Sequence, residues 1–373
     1  MKILFGKIKN FSYKKIWREE LKTFDLNSKN VIDINDLPSK CNIQINNKVL
    51  SITKWVSPKR TRSYPYARVY DCFDSCSGKV VAIIPIIKDE GLDGDIDYLQ
   101  WDTISLMSLL NVYVVLCFYK DAEKNNRNIN KPNKITNQKL KSSFIYKQLE
   151  ILSNYHQSAL HWNLNQLNSE NLLILINKTK TYYKDISTKL KIKLHDAKNI
   201  DKFKTNITKD REIFIKYSRY KAKNAQNREY LTSQPKEAIG IGEKTKIEIT
   251  NYLGGYYYFT IDDVLDKNND LYLIESKHSK NSILPSYDDI KDGLLKLMIY
   301  NNLCEIKDSK NKRNFKIVLR LTSNKLKNNT DLPNKNLESF IKSNQLNKKQ
   351  IEIIHKLNSE CSENKFHIWF QKV

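Results

Sequence analysis

The sequence predicts an α/β protein: a mixed β-sheet flanked by helices at the C-terminal end, preceded by a large N-terminal α/β block and a helical middle segment. Three observations predict it. Strand-length runs rich in β-branched and aromatic residues recur, as in KVVAIIPII, YVVLCFY and DLYLIESK. Between them, apolar residues return at helical spacing, for example at Ile145, Leu149 and Leu152. The two patterns alternate along 373 residues, more than one common domain, which divides the chain into 1–135 (a DNA-contact candidate), 136–235 (helical) and 236–373 (the core with its terminal helices and final strand).

In the first block, short strands are expected at Asn42–Ile45 and Lys48–Ile52. From Arg68 to Tyr119, ARVYDCF, KVVAIIPII and YVVLCFY read as strands around a helix near Gln100–Leu110, with Gly78 at a turn. Residues 120–140, rich in Lys and Asn and holding Pro132, read as a polar linker. Helices are expected over Phe144–Leu167 and Ser169–Leu194, with a basic one over Asp210–Lys223. From Lys246 the order becomes three strands (KIEIT, YYYFTIDDVL, DLYLIESK), a helix over Tyr287–Leu303 and a strand FKIVLRLT. Turns are placed at Gly254–Gly255 and Asn268–Asn269. One or two short helices and a last strand, FHIWF, complete the tail.

Hydrophobic residues make up 40 % of the chain, enough for a substantial core, while the formal charge of +23 favours polyanionic partners, nucleic acid first. Six cysteines are too sparse for a disulfide scaffold. Cys72 and Cys76 lack the second Cys or His pair that a zinc site needs, and the expected compartment is a reducing cytoplasm. Lysines interrupt the apolar residues of MKILFGKIKNFSYKK before a signal-peptide core forms, and no run reaches membrane-spanning length, so a soluble cytoplasmic protein with no membrane partner is expected.

Acid residues near the second and third strands of the last block carry the chemistry. Asp263 follows YYYFTI and precedes Val264–Leu265; Glu275 lies twelve residues later in LYLIESK. Side-chain alternation turns Glu275 and Lys277 to one face and Ser276 to the other. Two acids and an ammonium gathered there suit phosphodiester hydrolysis, in which carboxylates hold a divalent metal and a lysine orients water. Asp262 competes with Asp263 for the role of ligand, and Glu248 and Glu243 are candidates for a further upstream acid.

An Asp before an apolar pair, a turn, a strand ending Glu275-Ser276-Lys277, the helix DDIKDGLLKLMIYNNL and a further strand together resemble the PD-(D/E)XK nuclease superfamily, in particular type II restriction endonucleases. The resemblance covers about residues 240–322. It implies a restriction-endonuclease-like core in which Asp263 and Glu275 bind Mg²⁺, the Ser276 carbonyl completes the shell and Lys277 positions the attacking water. Where that family commonly has Pro before its Asp, this chain has Asp262, which leaves the choice between the two aspartates open.

The implied activity is Mg²⁺-dependent, site-specific cleavage of double-stranded DNA within a restriction-modification system, with a cognate DNA methyltransferase expected in the same system and a homodimer if the target is symmetric. A repair or recombination nuclease with the same core, and a non-catalytic nucleic-acid-binding protein, are the rival readings. Lys59, Arg60, Arg62 and Arg68 in KWVSPKRTRSYPYAR, and Arg219, Lys221 and Arg228 in the basic helical stretch, are candidate DNA contacts, as arginine pairs with guanine and lysine with phosphate. Asp89, Glu90, Asp93, Asp95 and Asp97 form an acidic loop readable as a structural turn or as a functional loop near the active site.

Overall fold

A computed structural model of the chain describes residues 3–26, 32–60, 64–231, 242–309 and 311–373. It is mixed α/β throughout, and contacts divide it into two compact units, each assembled from separated stretches of sequence. One comprises Met1–Glu19, Tyr66–Asp74 and Ala222–Val373; the other comprises Glu20–Pro65 and Ser75–Lys221. These boundaries cross the three consecutive blocks expected from sequence.

The first unit holds β1 (Ile3–Ile8), α1 (Pro65–Cys72), β2 (Glu243–Asn251), β3 (Tyr256–Lys267), β4 (Asp270–Ser279), α2 (Tyr287–Asn301), β5 (Leu303–Asp308), β6 (Asn311–Ser323), β7 (Thr330–Leu332), α3 (Glu338–Ser343), α4 (Lys348–Asn364) and β8 (His367–Lys372). Its sheet runs β4-β3-β2-β1-β5-β6-β8-β7, and β4 pairs with β6 as well, so six strands close into a ring. β2, β3 and β4 are successive antiparallel neighbours, whereas β4 and β6 are parallel. The expected order of three strands, helix and strand is present. Three elements were missed: β5, the short β7, and β1, which inserts parallel to β2.

Local chemistry explains the hairpin and the helix that matter most. Asn268 (φ 52°) and Asn269 (φ 66°) supply the left-handed backbone that a two-residue turn needs to match strand twist. Ser286 caps α2 by accepting the Asp289 N–H, and Asp288 and Asp289 complement the helix N-terminus. Gly293 lets α2 lie close on the sheet, since a Cβ there would stand 2.6 Å from Leu319 Cδ1 and 3.4 Å from Lys277 Cε.

The second unit is built on a five-stranded sheet of Thr23–Asp25, Lys40–Ile45, Lys48–Lys54, Val80–Pro85 and Tyr113–Cys117, in that order. Residues 120–140 are not simply a linker: Tyr119–Lys124 and Ile135–Leu140 pair as antiparallel strands. The expected helix over 144–167 divides into Ser142–Ser153 and Ala159–Gln166, the second capped by Ser158. ARVYDCF, read as a strand, is the body of helix α1 in the first unit. Pro65 at its first position has the φ a helix needs, and the buried Tyr66, Val69 and Tyr70 recur at helical spacing.

Candidate active site

β3 departs from regular pairing just where the acids lie. Ile261 stands opposite Thr245 and Val264 opposite Glu243, and the β2–β3 register slips between these pairs. Three steps on β3 are thus matched by two on β2, so β3 carries an extra residue at Asp262–Asp263 and its alternation breaks there. Such a bulge re-aims side chains. Beyond it, Asp263 pairs with Ile274 and Val264 with Leu273, the latter pair on the same face as Glu275 and Lys277.

Consequently Asp263 lies on the other face. Its Oδ2 is 2.7 Å from Arg320 Nη1, and Arg320 Nε donates to Ser276 Oγ at 3.1 Å. Asp263 and Arg320 are almost wholly buried, and Asp263 Oδ1 lies 2.3 Å from where a Cβ on Gly242 would stand. The preference for Asp263 as the aspartate beside Glu275, which rested on the apolar pair that follows it, is corrected by the regular β3–β4 register, which sets Asp263 opposite Ile274. Asp262 is the aspartate brought to that side: its Oδ2 accepts the Ser276 N–H at 2.9 Å, next to Glu275, and its charge acts on the ammonium of Lys296.

Glu275 is fully buried on β4 and meets two ammonium groups. Lys277 Nζ is 3.2 Å from Oε1; Lys296 Nζ, from α2, donates to Oε1 at 2.9 Å and Oε2 at 3.0 Å. Asp292, one turn earlier on α2, accepts from Lys277 at 2.8 Å. Burial alone would lower both lysine pKa values. Burial is the largest single effect, but the surrounding groups together outweigh it, Glu275 foremost among them, with Asp292 at Lys277 and Tyr300, Asp262 and Glu229 at Lys296, so both are held above the ordinary lysine range. The result is a charged cluster of Asp262, Glu275, Lys277, Asp292 and Lys296, in which 17 % of the Asp292, 16 % of the Lys296 and 10 % of the Lys277 side chain stay exposed.

Among the described residues, no group of three or more His, Cys, Asp or Glu side chains is gathered to hold a metal. Asp262 and Glu275 nevertheless fit a small hard cation of the Mg²⁺ kind, which needs only one or two carboxylates and keeps water in its other positions. Ser276 is buried between the two faces, its N–H bound to Asp262 and its hydroxyl to Arg320. Glu248 takes no part. It is paired with Lys223, accepts the Tyr256 hydroxyl, and faces away from Ile247 and Ile249. Glu243 is exposed at the start of β2, opposite Val264.

The described candidate DNA contacts are divided between the two units. Lys59 pairs with Asp97 at 3.5 Å, Arg219 with Asp102 at 3.2 Å, and Lys221 lies over the Tyr217 ring, all within the second unit, to which Arg60 also belongs. Arg68 is half-buried on α1 and Arg228 is exposed, both in the first unit, while Arg62 lies outside the described residues. The acidic loop is a structural turn. Asp89 binds Gly91 N–H and His195, Glu90 pairs with Lys88 and Lys134, Asp93 accepts Asn133 N–H, and Asp97 accepts Ser57 Oγ.

Lys296, Asp292 and Arg320 were missed by motif reading. Two of them left a signal: Lys296 interrupts the apolar run LLKLM and Arg320 interrupts IVLRL, positions where a charge must be buried and therefore paired. Compared with known proteins, the chain matches no protein-family model, no curated protein and no solved structure. Among the described residues no helix is long and apolar enough to cross a membrane.

Proposed function

We propose that the chain is a Mg²⁺-dependent DNA endonuclease with a PD-(D/E)XK-like core, of the restriction type. The observation that carries this reading is the convergence of Asp262, Glu275 and Lys277 on one side of the bulged β3–β4 hairpin. The order of three antiparallel strands, a helix and a strand parallel to the third supports it, as does the +23 charge. The ring closure through β1 and β5 is a departure from an open core sheet.

Asp262 and Glu275 would hold the ion, with the Ser276 carbonyl as a further donor. When bound, Mg²⁺ would neutralise phosphate charge and acidify a water. Lys277, its position fixed by Asp292, would orient the attacking water and offset charge as the phosphorane-like state develops. The exposed parts of Asp292, Lys296 and Lys277 mark the edge at which a phosphodiester would approach.

Incubating the protein with phage DNA and Mg²⁺ tests the reading. Discrete fragments with 5′-phosphate ends are expected, none without the metal and none from Glu275→Gln. Preference for nicks or junctions would indicate a repair nuclease, and undiminished binding without any cleavage would leave a nucleic-acid-binding protein.

A further inference from the structure

Glu275 already has a cationic partner on each of its two oxygens, and that partner is Lys296. Lys277 stands 3.2 Å from Oε1 and is anchored by Asp292 at 2.8 Å; Lys296 spans both oxygens at 2.9 and 3.0 Å. A divalent ion that takes both oxygens of Glu275 needs the position Lys296 now holds between them. We propose that Lys296 is a resident counter-ion for Glu275 that a divalent cation must displace, so that metal affinity is set by a competition within the site. This rests on the divalent-cation reading of Asp262 and Glu275.

Withdrawal would follow the flexible stem: 16 % of the Lys296 side chain is exposed, and its four methylenes would carry the head outward.

Mn²⁺ binding to the full chain, read by electron paramagnetic resonance of the free ion, tests this without reference to cleavage. Wild type should bind one Mn²⁺, Glu275→Gln none, and Lys296→Gln should bind about tenfold more tightly than wild type, a difference of about 1.4 kcal/mol. Lys296→Arg, which keeps the charge and holds a carboxylate bidentately, should bind more weakly than wild type. Should Lys296→Gln fail to fold by circular dichroism, Lys296→Arg against wild type decides, and equal affinity overturns the proposal. Unchanged or weaker binding by folded Lys296→Gln, with wild type still binding, overturns the displacement alone. Absence of Mn²⁺ binding from both wild type and Lys296→Gln overturns the divalent-cation reading and this inference with it.

Discussion

Asp262 and Asp263 are adjacent carboxylates with partners of different kinds: a backbone N–H beside Glu275 for the first, a buried guanidinium for the second. Their asparagine variants should therefore fail differently. Asp262→Asn is expected to fold with nearly native stability and lose cleavage. Asp263→Asn leaves Arg320 buried without its counter-charge and should lose about 3–5 kcal/mol of stability in urea unfolding. Equal destabilisation by both, or unimpaired cleavage by Asp262→Asn, would refute the assignment. The sharing of a side by Glu275 and Lys277 was legible from strand alternation. The choice between the aspartates was also contained in the sequence, through the turn and not through the apolar pair: counting back from Asn268–Asn269, Lys267 stands opposite Asp270 and Asp263 opposite Ile274, which leaves Asp262 for the Glu275 side. The apolar pair after Asp263 carries no register information and favoured the wrong residue.

α2 owes its closeness to the sheet to a single missing methyl group. Gly293→Ala would place a Cβ 2.6 Å from Leu319 Cδ1, and the displaced leucine should cost about 1–2 kcal/mol. In a Leu319→Ala background the same change should cost nothing, since the added methyl enters space already vacated. Thermal melts of the four proteins of this cycle measure it, and an equal cost in both backgrounds would place the strain elsewhere. Elements with strong periodicity or turn chemistry, such as β4, α2 and the Asn268–Asn269 turn, were readable in advance. α1 was not, because ARVYDCF has the aromatic and β-branched content of a strand, and only Pro65 and the 66/69/70 spacing show the helix. The strands at 119–124 and 135–140 were hidden because YKDAEK and ITNQKL are mostly polar and show no apolar alternation.

A formal charge of +23 should govern how the whole molecule meets DNA. Binding of the Glu275→Gln protein to duplex DNA should weaken by about 10³-fold between about 50 and 200 mM salt, as expected when several phosphates are neutralised. Titrations at several salt concentrations measure the slope, and salt-independent binding would remove the electrostatic support for a nucleic-acid substrate. The high charge was legible in composition. Which basic residues are neutralised was not, because partners come through the fold: Lys59 meets Asp97 and Arg219 meets Asp102.

The ring of strands also sets when the acids can be arranged during synthesis. β1 comes from residues 3–8, yet its sheet neighbours come from 243–251 and 303–308. A nascent chain must therefore hold its first strand unpaired on both edges until more than half of the protein has left the ribosome, while the second unit, completed by Lys221, can fold meanwhile. Prematurely terminated products that retain the basic middle of the chain would then lack the hairpin bearing Asp262 and Glu275.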